Sequence, residues 1–149
     1  MNIYTIGFTK KSARIFFTLL KENKINTVVD IRLNNKSQLA GFSKGEDLRY
    51  FLNEICSIEY KHDPDLAPSK EILSSYKDKK ISWQQYEEQF GDLLNKRKTK
   101  ESLAKKYNMN FDGICFLCSE ATPEQCHRRL VSEYIQQCYP ELKVQIIHL

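Results

Sequence analysis

Two strand-length runs, Ile25–Ile31 (INTVVDI) and Gly113–Cys118 (GICFLC), carry apolar side chains on both of their alternating faces. A strand coated with hydrocarbon on both sides has to be covered on both sides. That is the situation of a parallel sheet sandwiched between helices, not of an antiparallel sheet with one wet face. The remaining periodicity agrees. Met1–Gly7 is β-branched and aromatic and ends on glycine, Ser57–Lys61 is a short strand, and Val144–Leu149 (VQIIHL) is a last one. Between them the apolar period changes to that of a helix: Ile15, Phe16, Leu19 and Leu20 form one stripe behind Ser12. Leu48, Phe51, Leu52 and Ile55 place a second helix over residues 44–56, with Ser43 as cap and Glu46 completing a capping box. Residues 69–108 read as two or three charged helices, one of them opened by Ser82. Thr122, Pro123 and Gln125 predict a helix start with Thr122 as N-cap and a run to about Cys138. Strands alternating with helices predict a single-domain three-layer α/β/α fold with a mainly parallel sheet of about five strands.

At 149 residues the chain is one domain in size, and 41% hydrophobic residues are enough for a core. No apolar run approaches the ~20 residues that span a bilayer, so no membrane partner is expected. MNIYTIGF lacks a basic segment followed by a long apolar one, which makes the cytosol the expected compartment. Five cysteines there remain free thiols rather than a disulfide framework. A formal charge of +4 suits an anionic small molecule; a nucleic acid is the alternative partner, met by Lys10, Lys11 and the basic run around Arg97. The Lys96–Lys100 run itself reads as a solvated helix face. No Walker loop or G-x-G-x-x-G is present, and no cofactor is expected.

In an open α/β sheet, ligands bind beyond the carboxyl ends of the strands. The residues there are Gly7 to Lys11 after the first strand, Asp30 and Arg32 after the second, His62 and Asp63 after the third, and Cys118, Ser119 and Glu120 after the fourth. Cys126, His127, Arg128 and Arg129 belong to the first turns of the helix that follows. The chain also carries YTIGF, VVDIR, GFSK followed by a helix and a Tyr-x-His strand, then FLCSE and CHRRLVSEYI. With these motifs it resembles the domain-of-unknown-function family 488 over nearly its whole length. By motif matching, the resemblance implies a shared site at Gly7, Asp30, Arg32, Phe42, Lys44, His62, Cys118, Glu120, Cys126, His127 and Arg128. The chain departs from the family pattern at Asn34, Lys36 and Gln38, where a proline and arginines are usual, and at Leu66-Ala67-Pro68, where Leu-Gly-Gly is.

A thiol beside an imidazole and a helix start is a candidate nucleophile. Cys118 and Cys126 are therefore the candidate thiols, His127 and Glu120 the acid–base pair, and Arg32, Lys44 and Arg128 the anion holders. Glu120 is also expected to orient His127. Cys56, Cys115 and Cys138 read as packing residues, and His148 as a satisfied structural histidine. Cys115-x-x-Cys118 does not read as a zinc knuckle, because residues three apart on a strand face opposite sides. A metal on Cys118, Cys126 and His127 alone stays open as the lesser reading. The expectation is thus an enzyme acting on a phosphate- or carboxylate-bearing small molecule, nucleotide-like or nucleobase-like, as a hydrolase or transferase, against a nucleic-acid-binding module without catalysis.

Overall fold

A computed structural model describes residues 1–37 and 40–149; Gln38 lies outside the described residues. Five strands, β1 (Asn2–Gly7), β2 (Thr27–Asp30), β3 (Glu59–His62), β4 (Ile114–Cys118) and β5 (Gln145–His148), form one sheet in the order β3-β2-β4-β1-β5, every pair parallel. The central strand is β4, and all five of its residues are buried. Alternate residues serve the two faces: Ile114 and Phe116 pack with one apolar cluster, Cys115 and Leu117 with the other.

One face is covered by α1 (Ala13–Glu22), through Phe16 and Leu20, and by α2 (Gly45–Tyr50), through Leu48 and then Leu52 just beyond it. Across the sheet lie α4 (Trp83–Lys96), α5 (Thr99–Tyr107) and α6 (His127–Cys138), contributing Phe90, Leu94, Leu103, Val131 and Ile135; α3 (Lys70–Lys77) packs beside α4. The three layers are those the two-sided runs demand. Ser12 and Ser82 cap α1 and α4 as their sequences indicate, Ser82 with a reciprocal bond from Gln85.

Three local expectations are corrected. α6 begins at His127 with Cys126 as N-cap, not at Thr122. Residues 122–125 form a turn instead, closed by Cys126 N–H donating to Pro123 O, and Gln125 turns outward to accept from the Tyr76 hydroxyl at 2.8 Å. Ser43 does not cap α2: its buried hydroxyl donates to Ala40 O at 2.8 Å, Lys44 takes the cap position, and the helix relaxes into a π-helical turn over Phe51–Ile55. The Lys96–Lys100 run is not one helix face but the corner between α4 and α5, with Lys98 left-handed. Arg97 there donates to Asp65 O and Ala67 O at 2.7 and 2.6 Å.

Candidate functional site

Chain order and sheet order differ, and the difference fixes where a crevice opens. After β2 the chain leaves toward α2 on one face; after β4, its neighbour in the sheet, it leaves toward α6 on the other. Adjacent strands whose exits diverge leave a gap at their carboxyl ends. The gap is a cavity of about 420 Å³, within the range of small-molecule pockets. Its lining brings Arg32, Leu33 and Asn34 from the β2 exit together with Cys118, Ser119, Glu120, Gln125, Cys126 and His127 from the β4 exit.

The sulfur and nitrogen atoms of Cys118, Cys126 and His127, all three residues buried, lie within 4.8 Å of one another. Cys118 Sγ is 3.6 Å from His127 Nδ1 and 3.7 Å from Nε2. His127 Nε2 lies 2.8 Å from Ile31 O. A carbonyl only accepts, so Nε2 carries the proton and Nδ1 presents its lone pair. Glu120, expected to orient this ring, does not: a backbone carbonyl does so. Behind the ring, Phe90 meets it edge-on with centroids 6.1 Å apart. The Cys126 thiol shares a hydrogen bond with Cys118 and pulls the latter below its ordinary pKa against the effect of burial. Backbone N–H groups of Ser119 and Glu120 and the charge of Arg128 act in the same direction. Cys126 is pushed up, first by that shared bond and then by burial, so of the two thiols Cys118 gives up its proton the more readily.

Arg32 enters the cavity from a tight local fold. Its own N–H donates to Asp30 Oδ1 at 3.2 Å, and its guanidinium turns back to grip the same carboxylate through Nε at 2.8 Å and Nη2 at 2.7 Å. Nη2 also reaches Ser43 O at 2.7 Å, and the Tyr60 hydroxyl donates to Asp30 Oδ2 at 2.6 Å. Burial disfavours the Arg32 charge, but the Asp30 bonds outweigh it and the pKa rises. Arg32 Nη1 is left buried without a partner among the described residues.

Arg128 is fully buried and stands behind the site rather than lining it. Its Nη1 donates to Glu120 O at 2.6 Å and to Cys126 Sγ at 3.4 Å, fixing the β4 exit loop from beneath. Gly7 makes room for this. A Cβ there would stand 1.7 Å from Glu120 O and 2.9 Å from Arg128 Nη1, so Gly7 is a spacer.

Other expected site residues lie elsewhere. His62 Nε2 donates to Arg32 O at 2.8 Å, supporting the β2 exit, while the ring borders a separate hollow with Arg49, Asp63 and Lys106. Phe42 packs against Phe16 and Phe17 beneath the other face, and Lys44 caps α2. Neither borders the cavity. His148 bonds the Thr5 hydroxyl at 2.6 Å, and Cys115 packs on the face opposite Cys118.

Sequence reasoning missed one whole wall. Tyr76 of α3 and Trp83 and Tyr86 of α4 border the cavity, Trp83 and Tyr86 stacked at 4.6 Å and 20°. Arg129, in the first turns of α6, reaches past the site to bond Glu87 and Glu133 and tie α4 to α6. The signal available was the spacing of Trp83 and Tyr86 right behind a strong cap, which puts both on one side of a helix start. The arrangement can hold a planar ring against the aromatic wall and an anion at Arg32, with sulfur and imidazole lining the same space. No curated protein and no solved structure matches the chain. The model of the family described as domain of unknown function DUF488 matches residues 12–135 of the 149, and the chain belongs to that family.

Proposed function

We propose that this protein is an enzyme acting on an anionic small molecule with a planar ring, by hydrolysis or group transfer, in the crevice between the β2 and β4 exits. One observation carries the reading: Arg32, the aromatic wall and the Cys118–Cys126–His127 group border the same cavity. A buried guanidinium already neutralised by Asp30 can add a phosphate or carboxylate oxygen through its remaining nitrogen. The stacked Trp83 and Tyr86 offer a ring a flat apolar face. Glu120, the carboxylate among the described lining residues, is placed to move a proton.

A nucleic-acid-binding role has less support. Arg97 is held by two backbone carbonyls, and a long polymer would use an open basic surface rather than a recess.

Trp83 is the chain's one tryptophan, so its fluorescence reports on this cavity alone. Titration with nucleoside monophosphates, aromatic phosphate monoesters and aromatic carboxylates is expected to give saturable quenching by at least one class. It should also release a product detectable by chromatography. The absence of saturable quenching and of turnover across all three classes refutes the proposal.

A further inference from the structure

We propose that Cys118, Cys126 and His127 bind one zinc ion whose fourth position faces the cavity, and that a water held there, not a free thiol, is the nucleophile. The inference rests on the reading above for the use of the water; the metal itself is measured without any substrate.

Spacing is the first argument. Tetrahedral zinc holds sulfur at about 2.3 Å and imidazole nitrogen at about 2.0–2.1 Å, which sets bound sulfur and nitrogen about 3.5–3.6 Å apart. Cys118 Sγ and His127 Nδ1 stand at 3.6 Å, and the third ligand atom lies within the same 4.8 Å group. Two thiolates and one imidazole with an open position are the pattern of a reactive zinc site, whereas a structural one closes with four.

The surroundings are the second. His127 has Nε2 committed to Ile31 O, which orients the ring and leaves Nδ1 as the ligand, as outer-sphere carbonyls do around bound metals. Arg128, fully buried, directs Nη1 onto Cys126 Sγ at 3.4 Å, an N–H to sulfur contact that suits a metal-bound thiolate. Two thiolates and one zinc sum to zero charge, so the ion enters this buried pocket without leaving a net charge from the three ligands.

Topology is the third. Cys118 closes β4, Cys126 caps α6 and His127 is the first residue of that helix, so rigid elements carry all three ligands. Arg32 and Glu120 line the same cavity as the three ligands. In the reaction, zinc polarises the water, and Glu120 takes one proton from it. The resulting hydroxide adds to the electrophilic carbon or phosphorus, and the bond to the leaving group breaks as Glu120 returns the proton to that group. Water and substrate supply every atom, and no electron is transferred.

The test is metal analysis of the full chain purified from zinc-supplemented medium. One zinc per chain is expected, with both thiols protected from a disulfide reagent until a chelator is added. Replacing zinc by cobalt(II) should give the visible bands of tetrahedral cobalt and a thiolate charge-transfer band that saturate at one equivalent. Cys126→Ser and His127→Gln should each weaken zinc binding by at least about tenfold, the least that even an outer-sphere partner is worth. Cys138→Ser should leave it unchanged. Circular dichroism confirms that each variant folds, and the wild-type cobalt spectrum stands whether or not they do. Trace zinc and no cobalt–thiolate band in folded wild-type protein overturn the site, as does full zinc retention in both ligand variants. Quenching of Trp83 by an anion in a chain that binds no metal would leave the substrate reading standing and the zinc refuted. Zinc bound with no anion response would do the reverse.

Discussion

Gly7→Ala adds a single methyl group in a place where three parts of the candidate site meet. The new Cβ would fall 1.7 Å from Glu120 O and 2.9 Å from Arg128 Nη1, distances at which the backbone of the β4 exit has to move. Relief by overpacking costs about 1–3 kcal/mol. If the carbonyl moves away from Arg128, the 2.6 Å charged hydrogen bond goes too, costing about 1.5–3 kcal/mol more. The sum, about 2.5–6 kcal/mol, is a large part of the 5–15 kcal/mol typical of a domain. A chain of this length should lose about 2–4 °C of Tm for each kcal/mol, so a fall of roughly 5–24 °C is expected. Urea unfolding followed by circular dichroism measures the loss. Gly91→Ala is the control, since nothing stands within 4 Å of its Cβ and it lies inside α4. It should gain about 0.5–1 kcal/mol. A Gly7→Ala protein within about 0.5 kcal/mol of wild type, the scatter of an ordinary surface change, would mean that the Glu120 carbonyl is not seated on Gly7. The account of Arg128 would then be wrong.

Asp30→Asn strips a buried guanidinium of its partner and should cost about 3–5 kcal/mol in urea unfolding; a loss below 1 kcal/mol would show that Arg32 finds another counter-charge. Ser82→Ala removes the capping box of α4 and should cost about 0.5–2 kcal/mol, and because Trp83 is the next residue its emission should shift; an unchanged spectrum would detach the cap from the aromatic wall. His148 is held below its ordinary 6.5 by burial and by the Arg128 charge, so the unfolded chain binds the proton more readily. Its contribution is complete above pH 6.5 and is lost as the pH falls below that value. Proton NMR should place its midpoint under 6.5, and His148→Gln should flatten that part of the stability–pH curve.

The strands were legible because their hydrophobic pattern answers to the sheet alone: β4 and β2 lie where their two-sided runs put them. Ser12 and Ser82 were legible as well, since a cap bonds within its own turn. Thr122 and Ser43 were misleading for the opposite reason. Gln125 serves Tyr76 from a distant helix, and the Ser43 hydroxyl is spent on the loop before it, so partners outside the helix win over the cap. The β4 exit is pinned by Arg128 and by the Thr9 N–H on Ser119 O, which delays the helix to His127. Cys118, Cys126 and His127 were readable as chemistry because they lie close in sequence. Tyr76, Trp83 and Tyr86 come from helices more than thirty residues away, and their spacing reads equally well as ordinary core.

The middle of the sheet is filled by a strand made late. Ile3 pairs with Ile114 and Asn2 with Gln145, so β1 has no neighbour on either side until the last third of the chain exists. During synthesis the β2–β3 pair can assemble early, while the first strand waits as an open ribbon with both edges unsatisfied. Any chain cut short of Ile114 would therefore lack the floor of the crevice and would present β1 to whatever other extended segment it meets.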